Sequence, residues 1–136
     1  MRAVNELFAE VFEDKDTYTG NKPSDQYLTN LLEDSLFIVI VAEDNSGQII
    51  GALCAYELVK FEQERSEIYI YDLGVLNAWR RKGVATGLID KLKKLAVQRN
   101  AYVIYVQADD GDNPAMNLYN KLGQEEKVFH YDIIPQ

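Results

Sequence analysis

Apolar residues recur three and four apart at Val4, Leu7, Phe8, Val11 and Phe12. They do so again at Tyr27, Leu28, Leu31 and Leu32 behind Pro23-Ser24, so the chain opens with two amphipathic helices. The polar stretch from Asp14 to Lys22 reads as the loop between them. The period then changes. Phe37 to Ala42 is a continuous apolar run, Asp44-Asn45-Ser46-Gly47 interrupts it as a hairpin turn, and Gln48 to Val59 returns as its partner. A third strand spans about Ser66 to Val75. Helical spacing resumes from about Arg80 to Arg99, with Val84, Leu88, Leu92 and Leu95 facing the core. Ala101 to Ala108 is another buried strand and Asp109 to Asn113 a loop. Pro114 to Leu122 is a short helix closed by Gly123, and Lys127 to Ile134 is a last strand, giving the order ααβββαβαβ.

A strand, a long helix and another apolar strand imply a right-handed crossover and hence a parallel pair, whereas the hairpin before it implies antiparallel pairing. The pattern therefore predicts an α/β fold with a mixed, mostly antiparallel sheet, a central parallel pair and helices on both faces. At 136 residues it predicts a single domain over residues 1–136, since two halves would each be too small for a stable core. No apolar run reaches the length of a membrane span and the first residues lack a signal-peptide core, which predicts a cytoplasmic protein. Cys54, the sole cysteine, lies in an apolar strand and reads as a packing residue.

Charge changes the picture more than composition does. The net charge is −8, yet residues 80–99 hold seven of the fourteen Lys and Arg against one acid, Asp90. A basic patch on an acidic body suits an anionic cofactor beside a polycationic substrate, and it argues against DNA or anionic membranes as partners. Acidity that merely keeps the chain soluble is the competing explanation.

The junction into the long helix is suited to a pyrophosphate. The first amides of a helix lack intrahelical partners and carry the positive end of its dipole, and Gly83, Ala85 and Thr86 are small enough for phosphates to approach. Arg80, Arg81 and Lys82 add charge directly before them. Neither G-x-G-x-x-G nor G-x-x-x-x-G-K-[ST] is present. Upstream, Gly74 interrupts a strong β pattern, as at a bulge or where a ligand backbone comes close, and unpaired amides there could bind an amide-bearing chain. Simple alternation puts Asp72 on one face with Ile68 and Ile70, a carboxylate where an apolar residue is expected. It could accept a proton from an ammonium, or simply point into solvent at the strand end. Glu67, acting through a water chain, ranks behind it.

Tyr119 projects with Ala115, Leu118 and Leu122 along one side of the short helix, from where it could look back toward the first strand, and reads as a core tyrosine. Asp109-Asp110-Gly111-Asp112 lacks the ligand spacing of a calcium loop and predicts no metal; Asp112 or Asn113 caps the helix before Pro114. Asp109 and Asp110 sit at a strand's carboxyl end, where ammonium groups of a substrate can be held. Glu57, Glu62 and Glu64 offer a further acidic wall, and the lone His130 reads as structural.

Val75-x-Asn77-x-x-Arg80-Arg81-Lys82-Gly83-Val84-Ala85, followed by Ala115-x-x-Leu118-Tyr119-x-Lys121-Leu122-Gly123, resembles the two signature segments of the GNAT superfamily of acetyl-CoA-dependent N-acetyltransferases. The stretches Lys60–Gln63, Glu67–Leu73 and Ala101–Asp109 resemble the type I aminoglycoside 3-N-acetyltransferases, and that likeness covers nearly the whole chain. The resemblance implies that Leu73, Gly74 and Val75 pair with the pantetheine arm and polarise the thioester, and that amides from Arg81 to Thr86, Val84 and Ala85 among them, cradle the pyrophosphate. It implies that Arg80, Arg81 or Lys82 meets the outer phosphates, that Asp112 and Ala115 border the cofactor, and that Tyr119 is the acid to the leaving thiolate.

Read from the residues themselves, Asp72 is the base, with Asp109, Asp110 and Glu67 toward the substrate. The implied reaction is direct acetyl transfer in a ternary complex to the 3-amino group of an aminoglycoside such as gentamicin, by a homodimer, conferring antibiotic resistance. A polyamine or protein N-acetyltransferase, or a non-enzymatic acyl-CoA sensor, would share the cofactor half. Three features depart from the superfamily pattern: no strand precedes the first helix, Asp112 stands where Asn is usual, and Asn77 stands where Pro is common.

Overall fold

Ten residues of apolar periodicity fold as α1, Arg2–Val11, and Ser24 starts α2, Asp25–Glu33, by accepting a hydrogen bond from the Tyr27 amide at 3.1 Å. Between them the expected loop contains a π-helical turn, Asp16–Gly20. The computed structural model describes residues 1–136, and its strands are β1, Phe37–Glu43, β2, Ile49–Val59, β3, Ser66–Val75, and β4, Ala101–Val106. In the β1–β2 turn the Asp44 carboxylate accepts the amides of Ser46 and Gln48, and Gly47 takes the left-handed conformation the turn requires.

The strands form one sheet in the order β1-β2-β3-β4, antiparallel at the first two junctions and parallel between β3 and β4. The mixed α/β architecture is the one expected, with α1 on one face and α3, Val84–Gln98, on the other. The parallel pair is at an edge, however, and not central. Lys127–Ile134 forms no strand, and every residue from Gly123 to Gln136 is exposed. A strand exists only with a ladder partner, and this segment finds none within its own chain.

Two apolar clusters flank the sheet. Val4, Leu7 and Phe8 of α1 pack on Ala52 and Cys54, while Leu88, Ile89, Leu92 and Ala96 of α3 pack on Leu53, Ala55, Ile68 and Ile70. Leu92 is fully enclosed. Leu92→Ala is expected to lower unfolding free energy by about 2–5 kcal/mol, measured by urea titration with an unchanged m-value. No helix is long and apolar enough to cross a membrane.

Candidate active site

The long helix starts later than its spacing suggested. Arg80 to Gly83 form turns and α3 begins at Val84, because Arg81 and Gly83 both adopt positive φ, 61° and 80°, which helical residues do not. The consequence is a tight strand of backbone donors. Gly87 is the first amide to find a carbonyl, that of Gly83 at 2.9 Å, and no side chain caps the helix, so the amides from Arg81 to Thr86 have no protein acceptor. Space above them is open, since a Cβ on Gly83 or Gly87 would meet nothing within 4 Å. An anion with several oxygens fits this row by charge and by shape. Arg80 Nε donates to the Val75 carbonyl at 3.5 Å, and Lys82 lies over the Trp79 ring, 5.0 Å from the centroid.

The strand leading into this turn splays from its neighbour. β3 pairs with β4 only as far as Ile70 opposite Val106, and Tyr71 to Val75 continue with no β4 partner. Leu73, Gly74 and Val75 therefore border a cleft that ends at the α3 amides. Gly74 is required there for packing as well as access: a Cβ would come 3.1 Å from Val11 and 3.3 Å from Phe8.

Asp72 does not share a face with Ile68 and Ile70. Consecutive residues Ala55 and Cys54 face Ile70 and Asp72, so Tyr71 is an extra residue in β3 and the alternation reverses across it. Ile68 and Ile70 stay under α3, whereas Asp72 turns to the α1 side with its partner Cys54. There the Tyr18 hydroxyl, carried by the π-helical turn, donates to Asp72 Oδ2 at 3.0 Å. Burial holds the Asp72 carboxyl above the usual carboxylate range, with the Tyr18 hydrogen bond opposing it. Burial and the Asp72 charge push Tyr18 upward too, so it remains a donor across the working pH range. Sequence reasoning missed Tyr18; an aromatic residue inside the otherwise polar stretch Asp14–Lys22 was the available signal.

Asp112 caps α4, Asn113–Leu122, by accepting the Ala115 amide at 3.3 Å. Tyr119 packs with Leu118 and Leu122 against the α3 cluster. Its phenol is raised first by burial and then by the charges of Asp112 and Asp72, and its hydroxyl makes no hydrogen bond within the protein. A half-buried phenol within the field of a half-buried carboxylate, beside a splayed strand and a row of free amides, can bind a phosphorylated carrier and exchange protons on two sides of a reacting group.

A family model described as the acetyltransferase (GNAT) family matches residues 1–124. The chain belongs to that family. As a GNAT acetyltransferase it is similar to the crystal structure of an aminoglycoside acetyltransferase from an uncultured soil metagenomic sample, with 54% identity, coverage of 100% of this chain and 90% of that one, and a TM-score of 0.97. A second aminoglycoside acetyltransferase from an uncultured soil metagenomic sample, in complex with sisomicin, is 30% identical over 98% of this chain and 87% of that one, with a TM-score of 0.90. An N-alpha-acetyltransferase of Saccharolobus solfataricus is 29% identical over 117 residues, 78% of this chain and 66% of that protein. The chain thus spans less than two thirds of the length of that curated relative.

Other acids of this GNAT domain lie differently from expectation. Glu67 sits at the far end of β3, about 16 Å of strand from Asp72. It is engaged by Lys60 Nζ at 3.1 Å and the Tyr102 hydroxyl at 3.0 Å, which hold its carboxyl below the usual range. Glu57 is structural: it accepts from Ser66 at 2.6 Å and from Arg99 at 2.8 Å, and Glu62 pairs with Lys60. Asp109 and Asp110 are exposed in the loop after β4, and Glu64 is exposed as well. A separate, mostly acidic groove lies between α1 and the π-helical turn that carries Tyr18, lined by Glu6, Glu10, Glu13, Asp14 and Asp16 together with Lys15. His130 contacts only Asp132, at 3.0 Å.

The Tyr18 contact predicts a pH effect. Tyr18→Phe removes the bond that favours ionised Asp72, so the acidic limb of the kcat/KM profile is expected to move to higher pH, with most of the lost rate recovered above the new midpoint. A uniform loss at every pH would assign Tyr18 to packing alone.

Proposed function

We propose that the chain moves an acetyl group from acetyl-CoA to the 3-amino group of an aminoglycoside antibiotic, gentamicin among them, by direct attack in a ternary complex. The reading places it in the cytoplasm as a resistance enzyme that works as a homodimer. The observation that carries it is Asp72: a half-buried carboxylate with a raised pKa, pinned by Tyr18 at the splayed end of β3. The similarity to two aminoglycoside acetyltransferases supports the substrate class, and the resemblance of Glu67–Leu73 and Ala101–Asp109 to the 3-N group supports the position.

Acetyl-CoA supplies an electrophilic thioester carbon. Amides from Arg81 to Thr86 hold its diphosphate, with Arg81 and Lys82 near the outer phosphates, and Asp112, Ala115 and Tyr119 line the opposite wall. Backbone groups of Leu73, Gly74 and Val75 orient the pantetheine arm and stabilise charge developing on the carbonyl oxygen. The acceptor arrives as an ammonium and attacks only as a free amine, so Asp72 first attracts and then takes the proton. A nitrogen–carbon bond forms, the carbon–sulfur bond breaks, Tyr119 gives the sulfur its proton, and the second proton leaving the nitrogen returns to the Tyr119 phenolate. Asp109, Asp110 and the mostly acidic groove between α1 and the π-helical turn attract the remaining ammonium groups. Burial raises the Cys54 thiol to about 12, which supports transfer without an acyl-cysteine.

Mass spectrometry after incubation with acetyl-CoA tests the acceptor class. Gentamicin and kanamycin are expected to gain one acetyl group far faster than spermidine or an N-terminal peptide. Preference for the peptide, as the archaeal relative's name suggests, would overturn the substrate assignment, and no product with any amine would favour an acyl-CoA sensor.

A further inference from the structure

One aromatic ring from each strand stands in a row across the face of the sheet that carries α1. Phe37 lies opposite Tyr56, Tyr56 opposite Tyr69, and Tyr69 opposite Tyr105. Ring centroids are 5.4 Å apart for Phe37 and Tyr56 and 4.8 Å apart for Tyr69 and Tyr105. Cross-strand pairs of this kind stabilise a sheet, which accounts for these four rings. It does not account for Tyr71. As the extra residue of the β3 bulge it has no partner in β2, where Ala55 and Cys54 face Ile70 and Asp72, and none in β4, whose pairing ends at Ile70. Its ring is nonetheless aromatic and 61% exposed.

Tyr71 meets Tyr56 and Tyr69 at centroid distances of 5.9 and 5.8 Å and steep interplanar angles of 86° and 72°, so no other ring is stacked on it. Asp72 follows it directly in the chain. Burial holds the phenols of Tyr56 and Tyr69 above the ordinary tyrosine range, and the Asp72 charge adds to it, so both remain protonated beside that carboxylate. The Tyr69 hydroxyl donates to Gln107 at 3.2 Å. An aromatic surface edged with hydroxyls suits a ring that is apolar on its flat side and polar at its rim; a purely apolar partner would leave those hydroxyls unpaired. The face of an aromatic ring also attracts cations, and so does Asp72.

We infer that Tyr71 is the floor of an acceptor subsite: an amino sugar attached to the reacting ring lies on it, with an ammonium group and C–H bonds against the aromatic face, while Asp72 holds the nitrogen to be acetylated. The inference rests on the aminoglycoside reading above and gives it a residue that determines specificity. One inserted residue then serves two ends. It turns Asp72 to the α1 side and leaves an unpaired ring next to it.

Kinetics with gentamicin and with free 2-deoxystreptamine, the reacting ring without its sugars, test this. For Tyr71→Leu the ratio of kcat/KM for gentamicin to that for 2-deoxystreptamine is expected to fall about tenfold, through KM for gentamicin, with KM for acetyl-CoA unchanged. Tyr71→Phe keeps the aromatic face and should hold the ratio within about twofold of wild type. Tyr71→Trp offers a stronger cation-binding face and should raise it, which keeps the test decisive if the leucine variant does not fold. An equal loss for both acceptors would mean that the ring only shapes the bulge under Asp72, and a ratio that ignores Leu and Trp alike would mean that no sugar rests there; either result overturns the subsite alone. A wild-type protein that acetylates neither compound overturns the aminoglycoside reading as well.

Discussion

Asp72→Asn is expected to lower kcat/KM for the amine acceptor by about 10²–10⁴-fold at neutral pH, the usual contribution of a positioned general base. Coenzyme A affinity should stay within about twofold, since Asp72 faces the α1 side and the carrier's diphosphate is assigned to the α3 amides. The same substitution is expected to raise thermal stability. A carboxyl whose folded pKa lies above its unfolded value binds more protons when native, so its ionisation destabilises the fold as pH rises through that window. The melting temperature of Asp72→Asn should exceed that of the wild type at pH 7, and the gap should close as pH falls below the ordinary carboxylate value of 3.8. Higher stability with lost turnover is the signature of a group kept for chemistry; lost turnover with lost stability would make Asp72 a structural anchor for Tyr18.

Gly83→Asp should produce the other large effect, on coenzyme A binding. Gly83 precedes α3 at φ 80° with open space above it, so a side chain fits sterically at a backbone strain of about 1 kcal/mol. A carboxylate there is attracted to the free amides at the helix start and repels phosphate. Losing one or two charge-assisted hydrogen bonds, about 1.5–3 kcal/mol each, weakens the dissociation constant at least about tenfold. Gly83→Ala carries the strain without the charge and is expected to bind within a few-fold of wild type, as calorimetry would read. Equal losses in both variants would mean that backbone conformation matters at this position and anion repulsion does not.

Periodicity was enough to read the helices and the first four strands, because each apolar stripe had a core to face: Leu88 and Leu92 under α3, Val4, Leu7 and Phe8 under α1. It also located the free amides after residue 80, where small residues and missing caps coincide in sequence. Three features escaped it for separate physical reasons. The extra residue Tyr71 reversed the alternation, so Asp72 came out on the opposite face. Pairing is non-local, and a bulge leaves no trace in one strand's own pattern. Tyr18 became visible only through its partner 54 residues away. Lys127–Ile134 has the composition of a strand, but strand formation depends on an edge to receive it, which composition does not specify. Glu57 looked like part of a free acidic wall, and Glu67 like a carboxylate free to act through water, until Arg99 was seen to occupy the first and Lys60 and Tyr102 the second.

The most direct test of the account is two-dimensional NMR of the product formed from gentamicin and acetyl-CoA carrying a ¹³C-labelled acetyl group. The label is expected on the 3-amino nitrogen of the 2-deoxystreptamine ring, formed by the wild-type enzyme and almost not at all by Asp72→Asn. Label on a different nitrogen would contradict the regiochemistry, and the absence of any labelled aminoglycoside would contradict the proposed function as a whole.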